Sequence, residues 1–136
     1  MTIREPPLVV VDASVLLNAF ATPSADGARA RNLVDNHRLA APEHLFVEIF
    51  HGVPDRVTDG KLAPPLAIRA LNRLADLSVE LVPTRLLLER MWELRHNTSG
   101  YDAAYIAAAE HLKVPLMTSD QKLAGAPGLR CEVRVP

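Results

Sequence analysis

Four acidic residues lie beside apolar runs that would form the core of a folded domain. They are Asp12, Glu48, Asp102 and Asp120. A buried carboxylate without a partner is energetically costly, and such groups usually acquire an opposite charge or a metal ion. Because carboxylate oxygens are the ligands that hard divalent cations prefer, this set predicts a site that gathers negative charge around a cation.

Each of the three aspartates also has a purely local explanation. Asp12 is a residue type common in strand-to-helix turns, and Asp120 would cap the turn that follows it. Asp102 would stabilise a helix dipole from the first turn. Glu48 is harder to explain in this way, because apolar residues flank it on both sides in the segment 45–50.

A zinc site is an alternative for the same region of the chain. His44, Glu48 and His51 lie within two helical turns of one another. Their spacing is not the HExxH arrangement, and three residues spaced in this way are a weak signal for zinc. The chain has five histidines, which can lie near one another without a shared function. An oxygen-liganded divalent cation is therefore the favoured interpretation.

Short β-like runs alternate with longer helix-like segments, a pattern typical of an α/β domain with a mostly parallel sheet. The sequence predicts five strands, at 8–11, 38–41, 79–82, 114–118 and 131–135. Binding sites of such sheets form beyond the carboxyl ends of the strands. Since Asp12 and Asp120 both lie just past predicted strand ends, we expect them at the same edge of the sheet.

The segments between the strands predict helices with definite boundaries. Ser14 is expected to cap a helix that runs through Phe20. Pro42 is expected to stop the second strand and to suit the first turn of a helix that carries Glu48 and ends near Gly52. Residues 54–61 are predicted to be a polar turn. Further helices are predicted at 26–36, 66–77, 86–94 with Thr84 as the cap, 101–112 and 121–124.

Composition and length predict one cytoplasmic domain spanning residues 1–136. The chain is 49% hydrophobic and 23% charged, as in folded globular proteins. No apolar run approaches the roughly 20 residues that a membrane-spanning helix needs. Cys131 is the single cysteine, so an internal disulfide is impossible and a reducing compartment is expected. A net charge of −1 argues against broad coating of nucleic acid but does not exclude a nucleic-acid substrate.

Three segments, in order along the chain, resemble motifs of the PIN-domain ribonucleases, and specifically of the VapC-type toxins of bacterial toxin–antitoxin pairs. They are VVVDASVLLNAF, PEHLFVEIFHGV and YDAAYIAAAEHLKVPLMTSD. The resemblance covers nearly the whole chain, although residues 54–97 match only as helical segments. His51 departs from the small or amide residue that is more usual three positions after the glutamate.

The resemblance implies a three-layer α/β/α PIN-like fold and metal-dependent hydrolysis of RNA phosphodiester bonds. Asp12, Asp102 and Asp120 would hold Mg²⁺ or Mn²⁺. Glu48 would position or deprotonate the attacking water, or bind a second ion, while Ser14 and Thr118 would support the acidic centre. The implied partners are the RNA substrate, a VapB-type antitoxin and a second copy of this chain. Apolar residues around Leu86, Leu87 and Trp92 could serve either interface, although packing in the core is the default expectation for them.

Three other classes of protein remain as alternatives. A haloacid-dehalogenase-like phosphohydrolase also begins with an aspartate after a strand, but it expects a second acid where Ser14 stands. A receiver-like binding module expects paired acids near the first strand, which Glu5 and Asp12 do not supply. The third alternative is a catalytically inactive PIN-fold binding module.

Overall fold

A computed structural model describes residues 4–136 of the chain, so that the first three residues of the predicted domain lie outside the description. Its centre is a parallel sheet in the strand order β3-β2-β1-β4-β5. The strands are β1 (Leu8–Val11), β2 (Arg38–Pro42), β3 (Val79–Val82), β4 (Leu116–Met117) and β5 (Val133–Arg134). Helices cover the sheet in a three-layer α/β/α arrangement. The predicted α/β class with a parallel sheet of about five strands is confirmed.

The central strand β1 owes its position to a run of three valines. Val9, Val10 and Val11 are all at most 1% exposed, as expected for β-branched residues in a strand buried on both faces. Val10 aligns with Ala40 of β2 on one side and with Leu116 of β4 on the other. The carboxyl ends of β1 and β4 consequently lie side by side, with Asp12 and Thr118 immediately beyond them.

Seven α-helices are present within residues 4–136. They are α1 (Ala13–Ala21), α2 (Ala25–Asn36), α3 (Leu45–Thr58), α4 (Pro64–Ala75), α5 (Leu88–Glu93), α6 (Gly100–Leu112) and α7 (Gln121–Ala124). Helix α1 packs against α2, α3 and α4, while α6 packs against α5 and the central strands. None of the helices in the described part of the chain is long and apolar enough to cross a membrane.

Helix α3 runs farther than the sequence predicts. It continues past Gly52 to Thr58 with Pro54 inside it, so the prediction of a turn at 54–61 is wrong for most of that segment. A proline within a helix removes one backbone hydrogen bond and costs roughly 3 kcal/mol. Burial of Val53, which is 4% exposed, and partial burial of Val57 in the core offset that cost.

Gly52 allows α3 to lie close to α1. A Cβ atom at this position would come within 2.6 Å of a methyl group of Leu17. Real Cβ contacts are essentially never that short, so a larger residue would require the Leu17 side chain to move. Glu48 lies one turn before Gly52 on the same helix, and the close approach therefore sets its distance from the start of α1.

Other boundaries also differ from the prediction. Asp12, not Ser14, caps α1, and Pro42 is the last residue of β2 and not part of a helix. The predicted helix 86–94 is divided into a short 3₁₀ turn at Thr84–Leu86 and the helix α5. Helix α4 begins at Pro64, two residues before the predicted start, because proline is favoured in the first helical turn.

Candidate active site

Asp12 is the most deeply buried of the four acids, with 7% of its surface exposed. It caps α1 by accepting a hydrogen bond from the backbone N–H of Val15 at 3.3 Å. The Ser14 hydroxyl donates to Oδ1 at 2.5 Å, and the Thr118 hydroxyl donates to Oδ2. Burial raises the pKa of Asp12, and the charge of Glu48 raises it further, while these three hydrogen bonds oppose the rise.

The hydroxyls of Ser14 and Thr118 connect Asp12 to the segment after β4. Ser14 Oγ accepts from the backbone N–H of Ser119 at 3.0 Å. Thr118 is fully buried, and its Oγ1 accepts from the backbone N–H of Asp120 at 3.0 Å. The two predicted supporting residues therefore hold the ends of β1 and β4 in a fixed relation.

Glu48 projects from α3 toward the first turns of α6. Tyr105 donates a hydrogen bond from its Oη to Glu48 Oε2 at 2.9 Å. His44 Nε2 lies 3.2 Å from the same oxygen but lacks a hydrogen bond of acceptable geometry. Burial acts to raise the pKa of Glu48, but the His44 ring and the Tyr105 hydroxyl outweigh it, so that the pKa lies below its ordinary value.

Asp102 lies in the first turn of α6, where Ser99 Oγ accepts from its backbone N–H at 3.2 Å. Burial raises the pKa of Asp102, and the charges of Glu48 and Asp120 raise it further. Asp120 caps α7 and is exposed, and its Oδ1 accepts from the backbone N–H of Lys122 at 2.9 Å. Thr118 contacts both Asp12 and the backbone of Asp120, and Tyr105 of α6 contacts Glu48, so these segments meet beyond the carboxyl ends of β1 and β4. The charge of Glu48 acts on both Asp12 and Asp102.

The donor atoms at this edge suit a hard divalent cation. Four carboxylates contribute only oxygen ligands, and their mutual repulsion is the condition that a bound cation would relieve. Within residues 4–136, however, no three His, Cys, Asp or Glu side chains are arranged closely enough to hold a metal ion as they stand. This also applies to the zinc alternative, in which His51 is exposed and packs beside the ring of Phe50.

Three further residues, one in contact with Glu48 and two linked to the segment before Asp120, lie near the acids without having been predicted there. Tyr105 lies three residues after Asp102 on a neighbouring part of the same helix face, and this spacing is the signal that could have found it. Asn18 lies one turn after Ser14 on α1, and its Nδ2 donates to Ser119 Oγ at 3.0 Å. No sequence pattern indicates a role for Arg56, whose Nη2 donates to Asn18 Oδ1 at 3.2 Å.

Comparison with known proteins agrees with this architecture. The PIN domain family matches residues 9–129. Ribonuclease VapC1 of Mycobacterium tuberculosis is 38% identical over 127 residues, which cover 93% of this chain and 96% of VapC1. The chain therefore belongs to the PIN-domain family, within the VapC-type group that the sequence motifs resemble.

Solved structures support the fold at lower sequence identity. VapBC2 from Rickettsia felis, solved with a DNA fragment from the promoter, matches with a TM-score of 0.64 and 14% identity over 94% of this chain and 98% of that one. VapBC-5 from Mycobacterium tuberculosis, a member of the VapBC family of toxin-antitoxin systems, matches with a TM-score of 0.59 and 20% identity over 96% of this chain and 98% of that one.

Proposed function

We propose that this chain is an endoribonuclease toxin that hydrolyses RNA phosphodiester bonds with the help of Mg²⁺ or Mn²⁺. The observation that carries the proposal is the convergence of four carboxylates, from β1, α3, α6 and the end of β4, at the carboxyl edge of the sheet. The relationship to a named ribonuclease over nearly the full length of both chains supports the choice of substrate.

Asp12, Asp102 and Asp120 are the residues that we propose hold the cation. Asp12 is fixed by its three hydrogen bonds, whereas the exposed Asp120 and the partly exposed Asp102 retain the freedom to turn toward an ion. A divalent cation bound here would lower the pKa of a bound water and stabilise the charge that develops on the phosphoryl group.

Glu48 is the residue that we propose acts on the attacking water. Its lowered pKa keeps the carboxylate ionised at neutral pH, so it can accept a proton or orient a water through a hydrogen bond. Tyr105 remains protonated because burial raises its pKa, and its hydroxyl fixes the direction of Glu48. Binding of a second ion by Glu48 is the other role consistent with its charge.

A VapB-type antitoxin and a second copy of the chain are the protein partners that we propose. Solved relatives are VapBC assemblies, and this chain exposes large apolar side chains on α3 and around α5 that would be covered in an interface. They are Val47, Phe50, Leu86, Leu88 and Trp92. Leu87 is 2% exposed and packs in the core, as the default expectation has it, whereas its neighbour Leu86 and Trp92 do not.

Cleavage of RNA by the purified chain tests the proposed activity. With Mg²⁺ or Mn²⁺ we expect cleavage, and we expect Asp12→Asn and Asp102→Asn each to reduce it by about 100-fold or more while the fold persists. The fold is checked by circular dichroism, and Glu132→Gln, at an exposed pair on β5, serves as the control. Undiminished cleavage by both variants in chelator would rule out the metal centre.

The same assay separates the alternatives. A phosphohydrolase of the haloacid-dehalogenase type would hydrolyse small phosphoesters and leave RNA intact. Ser14 stands where that class needs its second acid, and its hydroxyl donates to Asp12 instead of supplying a carboxylate. An inactive PIN-fold module would cleave neither substrate under any metal condition.

A further inference from the structure

Arg56 is a partly buried cation without an acidic partner among residues 4–136. Its guanidinium donates to two neutral oxygens, Thr22 Oγ1 at 2.8 Å and Asn18 Oδ1 at 3.2 Å. Burial lowers its pKa because no carboxylate compensates the desolvated charge. Burying a charge without a counter-charge is unfavourable, so the arrangement suits an anion that arrives from outside.

A chain of hydrogen bonds links Arg56 to the acidic centre. Asn18, which accepts from Arg56, donates to Ser119 Oγ at 3.0 Å, and Ser119 directly precedes Asp120. An anion bound to Arg56 would therefore lie beside the four carboxylates. Four ionised carboxylates alone would repel any anion, so an anion at Arg56 requires that their charge be offset, as by the cation proposed above. A phosphodiester chain is the anion that the proposed activity brings to this place.

A basic groove continues from Arg56 away from the acidic centre. Thr22, which accepts from Arg56, also lines a groove of about 450 Å³ between the end of α1 and helices α2 and α4. The cations that line this groove are Arg31, Lys61, Arg69 and Arg73, and no carboxylate lines it. The groove is therefore positively charged, although the net charge of the chain is −1.

We propose that Arg56 binds the RNA phosphate adjacent to the one at the acidic centre, and that the basic groove holds the backbone beyond it. This inference rests on RNA being the substrate, as proposed above. Guanidinium groups suit this task because their planar N–H donors match the oxygens of a phosphate. Arg56 would thus fix the register of the strand without reading its base sequence.

Binding of a fluorescently labelled single-stranded RNA oligonucleotide, measured over a range of KCl concentrations, tests the role of Arg56. The Asp102→Asn chain is used as the parent so that the RNA is not cut. In this background Arg56→Gln should weaken binding roughly tenfold, as expected for the loss of a charge-assisted contact. It should also reduce the slope of log affinity against log salt by about 0.7, the value for one phosphate contact on a single strand.

Control variants separate a phosphate contact from a structural one, because Arg56 also ties α3 to α1. Arg56→Lys keeps the charge and should retain the slope, even if its hydrogen bonds and its unfolding midpoint change. Arg29→Gln removes an exposed arginine on α2 that pairs with Asp26, and it should leave both affinity and slope unchanged. Arg69→Gln in the groove should reduce the slope as Arg56→Gln does.

An unchanged slope in Arg56→Gln would overturn the proposal, and so would an Arg56-dependent affinity for poly-glutamate that RNA does not share. Cleavage by the wild-type chain is measured separately. Arg56-dependent RNA binding without any cleavage would refute the ribonuclease and leave the phosphate contact standing. Cleavage combined with binding indifferent to Arg56 would refute only the contact.

Discussion

The four carboxylates differ at the residue scale in what surrounds them. Asp12 is buried and held by three hydrogen bonds, so its direction is set by the ends of β1 and β4. Glu48 has a lowered pKa and Asp102 a raised one, although both are partly exposed. The difference arises because His44 and the Tyr105 hydroxyl outweigh the burial of Glu48, whereas burial and then the charges of Glu48 and Asp120 act together on Asp102. These surroundings favour distinct roles within one centre.

Tyr105→Phe should move the pH dependence of cleavage. Removing the hydroxyl takes a donor from ionised Glu48, so the pKa of Glu48 should rise. If Glu48 must be ionised, activity is lost as pH falls through its pKa, and a raised pKa shifts the acidic limb of the profile to higher pH. The ring of Tyr105 is fully buried and its packing is retained by phenylalanine.

The pH profile of kcat measures this shift, with Tyr101→Phe as the matched control. Tyr101 lies one turn before Tyr105 on α6 but is 66% exposed, and its hydroxyl makes no hydrogen bond within residues 4–136. Its profile should coincide with that of the wild type. Coincident acidic limbs for Tyr105→Phe and the wild type would show that the hydroxyl does not tune Glu48.

At the scale of elements, the local hydrophobic pattern predicted where strands and helices lie. It did not predict where those elements end, because tertiary contacts set some of the boundaries. The valine run of β1 and the alanine-rich α6 are strong local signals. Pro54 is a local signal for a helix end, yet α3 continues because Val53 and Val57 pack in the core. Asp12 rather than Ser14 caps α1 because the chain turns directly after β1. Contacts between elements decided both outcomes.

The contact between α5 and α6 gives a stability prediction at this scale. Glu110 of α6 accepts from Arg90 Nε at 2.7 Å and Nη2 at 3.1 Å, and from the backbone N–H of Arg130 at 2.7 Å. Its side chain is only 11% exposed, and that of Arg90 18%. Glu110→Ala leaves the guanidinium without its main partner and should lower the free energy of unfolding by about 3 kcal/mol.

Urea denaturation measures this loss, and the pair of Arg134 and Glu132 provides the comparison. Its side chains are 49% and 58% exposed, so Glu132→Ala should lower the free energy of unfolding far less than Glu110→Ala does. Equal losses in the two variants would mean that burial of the Arg90–Glu110 pair contributes nothing to the stability of the fold.

On the scale of the whole molecule, parallel strand order explains how distant residues form one centre. Asp12 and Asp120 could be placed at one edge from sequence, because both follow strands that end at that edge. Glu48 and Asp102 could be predicted at the same edge only from the family motifs, because local periodicity does not determine how helices pack. The contacts of Asn18 and Arg56 could not be predicted, because they depend on the distance between α1 and α3 that Gly52 permits.

Thermal unfolding with and without Mn²⁺ tests most directly whether the gathered carboxylates bind a cation. Because the folded-state pKa of Asp102 is raised, its ionised form at pH 7 destabilises the fold, and this cost is absent below its unfolded pKa. Asp102→Asn should therefore unfold at a higher temperature than the wild type in chelator at pH 7. Saturating Mn²⁺ should raise the wild-type midpoint by about 5 °C or more and leave Asp102→Asn nearly unchanged. Equal responses of the two chains to Mn²⁺ would contradict a metal centre at these acids.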